Sequence, residues 1–75
     1  SADLDCQRLA QLPRAVRTRI IRKAAFAAGA TPGELTYEQI SAIDALISAW
    51  KGQGAVSLPG GVKVERISGR LSLSR

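Results

Sequence analysis

The spacing of apolar residues changes once along this chain, close to Gly54. Before that point apolar residues recur every three or four positions, which is typical of amphipathic helices, and after it they alternate with polar residues, as in strands. We therefore predict an α+β fold in one small domain of residues 1–75. Asp3 is predicted to be the N-terminal cap of the first helix. Three helices are predicted over residues 3–11, 13–28 and 37–51, and an antiparallel three-stranded meander over residues 55–58, 62–67 and 70–74.

The second predicted helix has clear ends and an amphipathic stripe. Pro13 suits the first position of a helix because its missing N–H needs no partner there, and Gly29 suits the left-handed residue that ends one. Between them, apolar residues recur at spacings of four and three, and we predict that this stripe faces the core. The stripe consists of Val16, Ile20, Ala24 and Ala27, flanked by Ile21 and Ala28.

The third predicted helix begins with two sequence signals. Thr36 and Gln39 have the spacing of a capping box, and Leu35 and Ile40 occupy the two positions of a hydrophobic staple. A stripe at helical spacing follows, and we predict that its last member, a tryptophan, is buried like the others. This stripe consists of Ile40, Ile43, Leu46, Ile47 and Trp50.

Turn lengths fix the register of the predicted strands. A three-residue loop at residues 59–61 aligns apolar residues of the first two strands, whereas a two-residue loop would oppose an apolar residue with a lysine. A two-residue turn at residues 68–69 then completes one apolar face, which must cover the helices because a lone small sheet is unstable in water. The predicted pairs are Leu58 with Val62, Val56 with Val64, Val64 with Leu73, and Arg66 with Leu71.

Composition narrows the chemistry that the chain can perform. It has no His and a single Cys, Cys6, so zinc sites and disulfides are not expected, and no two carboxylates fall together on one element for acid–base catalysis. The glycines of LPGGVK lack the spacing of a phosphate-binding loop. No apolar run suits a membrane helix and no signal peptide opens the chain, so we predict a cytoplasmic location and no membrane partner. Because the sequence contains no Met, we expect a segment of a longer protein.

Positive charge is concentrated in the second predicted helix. The chain carries 11 Lys and Arg against 6 Asp and Glu, a net charge of +5, and no acid occurs between Asp5 and Glu34. Such a charge indicates a polyanionic partner, although small domains also carry net charge for solubility alone, and charge by itself does not separate the two. Helical spacing gathers four cations opposite the apolar stripe and places Arg17 beside it. These four are Arg14, Arg19, Arg22 and Lys23, predicted to line one open surface rather than pair with Glu34, Glu38 or Asp44.

Two aromatic residues near these cations leave two interpretations open. Tyr37 occupies an exposed position in the first turn of the third predicted helix, and Phe26 lies on the basic side of the second. Aromatic rings beside cations commonly stack on the bases of single-stranded nucleic acid, but they also pack against protein. The sequence favours neither interpretation for these two residues.

Five sequence motifs follow one another along the chain in an order that resembles a known protein family. They are LPRAVRTRIIR, AAGA, LTYEQI, WKGQG and LPGGVKVERISGRLSL. Their succession, over roughly residues 9–75, resembles the region that follows the catalytic domain of tRNA(Ile)-lysidine synthases.

The resemblance implies an accessory tRNA-binding domain. Members of that family use ATP to adenylate the wobble cytidine of an isoleucine tRNA and then attach lysine to it, in an N-terminal domain whose S-G-G-x-D-S loop is absent from this sequence. We therefore expect no catalytic residue and no cofactor in this chain, and we expect ATP to bind to the catalytic domain of the parent enzyme. The expected partners of this domain are tRNA and that catalytic domain. The implied RNA-binding residues are Arg14, Arg17, Arg19, Arg22, Arg66 and Arg70, to which the basic face adds Lys23.

An alternative hypothesis assigns the chain no direct role with nucleic acid. In that case the domain is a non-catalytic packing or dimerisation module, and its charge serves solubility. Its apolar surfaces would then contact another domain or form a homodimer with a second copy of the chain.

Overall fold

Four strands and three helices make up the domain in a computed structural model that describes residues 2–75. The strands form one antiparallel sheet in the order β1-β4-β3-β2. The α+β class is confirmed, but the predicted three-stranded meander is wrong because a fourth strand pairs with β4. The elements are β1 (Ala2–Asp5), α1 (Cys6–Ala10), α2 (Arg14–Ala28), α3 (Tyr37–Ser48), β2 (Val56–Leu58), β3 (Val62–Ile67) and β4 (Arg70–Ser74).

The fourth strand, β1, lies where the sequence predicted the start of the first helix. The cap of α1 is Asp5 and not Asp3, since the Asp5 carboxylate accepts hydrogen bonds from the backbone N–H groups of Gln7 and Arg8 at 2.9 and 3.2 Å. The residues before this cap are therefore free to extend, and Leu4 pairs with Leu71 of β4. The helix predicted over residues 3–11 is thereby reduced to the five residues of α1.

The predicted register of the two hairpins is confirmed. β2 and β3 pair Val56 with Val64 and Leu58 with Val62 across a three-residue loop, and β3 and β4 pair as predicted across Ser68 and Gly69. Both turn residues have positive φ, 52° and 77°, which suits a two-residue hairpin turn. The inward residues of β3 and β4 are almost fully buried in one core with the helices.

The loop between β2 and β3 also packs against the end of α2. The backbone N–H of Thr31 donates to the Pro59 carbonyl oxygen at 3.4 Å. Gly60 has a φ of 89°, and a Cβ at this position would lie 2.7 Å from the carbonyl oxygen of Gly29. Only glycine allows this approach, so the loop joins the sheet to the C-terminal end of α2.

The buried side of α2 differs from the predicted apolar stripe. Val16 is 40% exposed and Ala27 is also exposed, whereas Ile21 is fully buried. The helix is thus rotated relative to the prediction, because Arg17 turns inward to a carboxylate of α3. Its end at Gly29 is as predicted, with a left-handed φ of 114°. The buried residues of α2 are Arg17, Ile21, Ala24, Ala25 and Ala28.

The third helix begins as predicted and ends early. Its capping box is formed, with the Thr36 hydroxyl accepting from the backbone of Gln39 and the Gln39 side chain accepting from the backbone of Thr36. Ala49 leaves the helical conformation, and the Gln53 side-chain amide donates to the carbonyl oxygens of Ala45 and Ala49. The helix therefore stops at Ser48 instead of residue 51, and the prediction of a buried Trp50 is wrong, since this side chain is 42% exposed.

Candidate nucleic-acid interface

A cleft of about 370 Å³ opens beside the basic side of α2 and the N-terminal half of α3. Helical spacing brings three arginines of α2 to its wall, and α3 contributes an aromatic ring and an aliphatic side chain. No carboxylate is among its lining residues. The cleft is lined by Arg14, Ala15, Thr18, Arg19, Arg22, Tyr37 and Ile40.

Arg14 is positioned in the cleft by partners on α3. Its Nη2 donates to the Tyr37 phenol oxygen at 3.1 Å and to the Ser41 hydroxyl at 3.2 Å, and its Nη1 lies 3.7 Å from Asp44 Oδ2. Its guanidinium carbon also lies 6.0 Å from the centroid of the Tyr37 ring. The prediction that Arg14 would not pair with Asp44 is therefore wrong, although half of its side chain remains exposed.

The other cations of the predicted open surface have no acidic partner among residues 2–75. Arg19, Arg22 and Lys23 are exposed, and none of them forms an ion pair within the described part of the chain. Arg19 and Arg22 line the cleft, whereas Lys23 lies on the same helix outside it. Two guanidinium groups are thus available to an incoming anion beside the positioned Arg14.

Arg17 points away from this cleft into the protein. Its Nε donates to Asp44 Oδ1, its Nη2 donates to Asp44 Oδ2 at 3.2 Å, and its Nη1 donates to the Leu12 carbonyl oxygen at 3.0 Å. The hydrogen bond to Asp44 raises the pKa of Arg17 despite the opposing effect of burial. Both groups are buried, so this arginine is held in an ion pair between α2 and α3.

The two arginines predicted from the terminal hairpin lie together in a second cleft, of about 460 Å³. Arg66 Nη1 donates to the Leu46 carbonyl oxygen at 2.8 Å. Arg70 Nε donates to Asp3 Oδ1 at 2.9 Å, and its Nη1 lies 4.0 Å from Asp5 Oδ2. Both guanidinium groups are therefore engaged by internal partners.

Cys6 lies at the wall of the second cleft but belongs to the core. It is 1% exposed, and burial raises the pKa of its thiol. This burial suits a small apolar core residue.

The pairing of Arg14 and Arg17 with Asp44 of α3 was not predicted from the sequence. Asp44 interrupts the apolar stripe of its helix directly after the buried Ile43, four residues beyond Ile40. A carboxylate at a core position needs a cationic partner, because an unpaired buried charge is costly. That signal predicts an inward-turned arginine, although it does not say which one.

Possible metal-ligand groups and membrane-spanning helices were sought in the described part of the chain. Within residues 2–75, no group of three or more His, Cys, Asp or Glu side chains is placed to hold a metal ion. None of the helices in this part of the chain has the length and apolar character to span a bilayer.

The chain thus forms a small α+β domain with an arginine-lined cleft beside α2. The family model described as the TilS substrate binding domain matches residues 4–72, and the chain belongs to this family. The resemblance seen in the five motifs is thereby confirmed. No solved structure matches the chain.

Curated relatives carry one shared description. The chain is 52% identical over 68 residues to a tRNA(Ile)-lysidine synthase of Streptomyces coelicolor, covering 91% of this chain and 19% of that protein. It is 46% identical over 71 residues to the tRNA(Ile)-lysidine synthase of Thermobifida fusca, covering 95% of this chain and 22% of that protein. The Nocardia farcinica protein of the same description is 40% identical over 80 residues, covering 100% of this chain and 24% of its own. The chain thus spans about a fifth of the length of the curated relatives it matches.

Proposed function

We propose that this domain is the accessory tRNA-binding part of a tRNA(Ile)-lysidine synthase and that the cleft beside α2 meets the phosphates of the tRNA. The observation that carries the proposal is the convergence of Arg14, Arg19 and Arg22 on one cleft that no carboxylate lines. The family and the names of the relatives support tRNA as the polyanion in question.

The geometry of the cleft favours phosphate binding over the alternative of a basic face that is only solvated. A guanidinium presents a planar fork of donors that matches the oxygens of a phosphate diester. Arg14 is already ordered by Tyr37 and Ser41, so it loses less side-chain freedom on binding than a mobile cation does. Arg19 and Arg22 have no ion pair within residues 2–75 and would make the new ion pairs with phosphate.

The remaining predicted residues take smaller parts in this proposal. Arg17 is left out of the RNA contact because it is buried against Asp44, and its part is to fix α2 on α3. Lys23 adds charge beside the cleft. Arg66 and Arg70 lie on a separate surface and would have to release or share their internal partners to bind phosphate.

The chemistry of lysine attachment lies outside this domain in the proposal. The cleft is lined by arginines, Thr18, Tyr37 and apolar side chains, and none of these lining residues is a carboxylate or imidazole that could act as a general base. ATP would be bound by the catalytic domain of the parent enzyme, which would also be the partner of this domain within the same chain.

A salt series on matched charge variants tests the proposal. The affinity of the 75-residue chain for tRNA should fall with salt along a log–log slope of about −0.7 to −0.9 per cation engaged. The double variant R19E/R22E should lose most of the affinity, whereas R8E/K63E, with the same change in net charge at exposed positions away from the cleft, should lose far less. Equal losses in the two variants would mean that net charge and not the cleft governs binding, and the proposal would fail.

A packing module remains the second candidate, because the rotation of α2 leaves apolar side chains at the surface. Val16 and Ala27 are exposed and Ile20 is half-buried, all on the flank of α2 beside Lys23. In this case another domain of the parent enzyme would cover the flank, and RNA would not bind at any salt concentration. The variant V16D should then weaken association with that domain while leaving the fold of the isolated chain unchanged.

A further inference from the structure

Trp50 is a large aromatic residue that the proposed phosphate cleft does not use. It follows the C-terminal end of α3, is 42% exposed, and is the single tryptophan of the chain. An exposed indole is unusual in a small domain, since burial of an aromatic of this size is among the larger stabilising contributions available. Its position outside the core therefore calls for another explanation.

The indole is held in place by Arg66. The guanidinium carbon of Arg66 lies 5.1 Å from the centroid of the Trp50 ring, and its Nη1 donates to the Leu46 carbonyl oxygen at 2.8 Å. This hydrogen bond fixes the guanidinium, and the guanidinium in turn covers one face of the ring. With one face covered in this way, 42% of Trp50 is still exposed.

The backbone around Trp50 is also fixed. Gln53 accepts a hydrogen bond from the backbone N–H of Lys51 at 2.8 Å and donates to the carbonyl oxygens of Ala45 and Ala49. The turn after α3 is thus closed on the helix end. Lys51, the next residue in the chain, is exposed.

We propose that Trp50 is a stacking platform for an unpaired base of RNA. This inference rests on the proposed RNA-binding function and assigns it a second, separate site. An indole backed by a guanidinium offers one flat face to a base, while Lys51 can meet the adjoining phosphate. A base inside a duplex is already stacked on both faces, so the platform takes a loop, bulge or single-stranded end.

Because Trp50 is the single tryptophan, its own fluorescence reports the contact. Titration of the 75-residue chain with a single-stranded RNA oligonucleotide should quench Trp50 emission in parallel with binding measured by anisotropy of a labelled RNA. Inorganic polyphosphate, which carries phosphate charge without bases, should bind without this quenching. RNA binding without any change in Trp50 emission, or equal quenching by polyphosphate, overturns the platform.

Variants separate stacking from charge. W50A should weaken single-stranded RNA binding by about tenfold and leave the slope of log affinity against log salt unchanged, because a stacking contact releases no counterions. W50F should retain most of the affinity, and I67A, which alters another exposed apolar side chain, should leave it unchanged. Unaltered affinity in W50A, or a loss equal to that of I67A, overturns the proposal.

The same measurements distinguish failure of the platform from failure of the phosphate cleft. If R19E/R22E binds normally while quenching and the effect of W50A persist, the platform stands and the cleft is wrong. If R19E/R22E abolishes binding while W50A has no effect, the cleft stands and the platform is wrong. Absence of any RNA binding overturns both.

Discussion

The two sides of α2 carry the same residue type in opposite situations. Arg17 is buried and its guanidinium is held by Asp44 and by the Leu12 carbonyl. Arg19, two positions further along the same helix, is exposed and has no ion pair within residues 2–75. Arg14 lies between these extremes, because it contacts Asp44 and yet lines the open cleft.

This difference shows that a count of cations does not measure the capacity to bind an anion. A buried guanidinium needs its carboxylate to offset desolvation, so the pair is satisfied internally and gives little to a ligand. A cation without an acidic partner keeps its full attraction for phosphate. In this domain the position of one carboxylate, Asp44, decides which arginines of α2 belong to the core and which belong to the surface.

The largest expected effect comes from removing that carboxylate. D44A leaves Arg17 buried and uncompensated, and breaking such a pair costs about 3–5 kcal/mol of the free energy of unfolding. This is a large part of the stability of a small domain. Urea denaturation followed by circular dichroism should show the loss, whereas E34A, at an exposed acid without an ion pair among residues 2–75, should change stability by less than about 0.5 kcal/mol.

Replacing both members of the pair sharpens the same comparison. R17M/D44L puts apolar groups in place of the buried charges, and such replacements are often neutral or stabilising. We expect its urea midpoint to be close to that of the wild type. If the double variant is as unstable as D44A, the ion pair itself stabilises the fold. In that case the instability of D44A does not come only from leaving one buried charge unpaired.

The next effect is on the reactivity of Cys6. Its thiol is buried, and this burial raises the pKa of the thiol. Because the reactive thiolate is therefore scarce at neutral pH, alkylation of the native protein should be slow, and its rate should increase as the pH rises. In D44A, a loss of about 3 kcal/mol should raise the open population, and with it the alkylation rate, by about a hundredfold. Mass spectrometry of iodoacetamide labelling measures this rate, and R19Q should leave it unchanged.

A smaller effect is expected at the open side of α2. R19Q should weaken tRNA binding and make the salt slope shallower by about 0.7 to 0.9, the contribution of one cation, while stability stays within about 0.5 kcal/mol of the wild type. R17Q should behave in the reverse manner, with lower stability and an unchanged salt slope for the folded fraction. If R17Q alters the slope and R19Q does not, the assignment of the two sides is wrong.

The smallest effect is expected at Tyr37. Y37F removes the phenol oxygen that accepts a hydrogen bond from Arg14 and keeps the ring. Because both side chains are largely exposed, tRNA affinity should fall by only about twofold, and stability should be nearly unchanged. A loss of tenfold or more in fluorescence anisotropy would show that the phenol itself contacts the RNA.

Local signals in the sequence predicted the parts of the fold that depend on neighbouring residues. The capping box at Thr36, the end of α2 at Gly29 and the register of both hairpins each follow from residues a few positions apart. β1 escaped prediction because its four residues carry two acids, which are poor strand formers, and its partner β4 lies at the other end of the chain.

The candidate site shows the same limit. Helical spacing gathered Arg14, Arg19 and Arg22 on one side of α2, and these three do share a cleft. It also placed Arg17 beside the apolar stripe, but it did not identify its partner Asp44, which lies 27 residues away on another helix. Trp50 was misplaced because the apolar stripe continues past the end of α3 at Ser48, where the Gln53 side chain donates to the carbonyl oxygens of Ala45 and Ala49.

The length of α3 sets the distance between the cleft at Tyr37 and the proposed stacking site at Trp50. Its 12 residues span about 18 Å at 1.5 Å per residue, with Tyr37 at one end and Trp50 shortly beyond the other. A single RNA that occupies both proposed sites must therefore present a backbone phosphate and an unstacked base at roughly that separation. The domain would then select RNA molecules by the distance between a stem and a loop or end, which is a form of recognition that requires no reading of base identity.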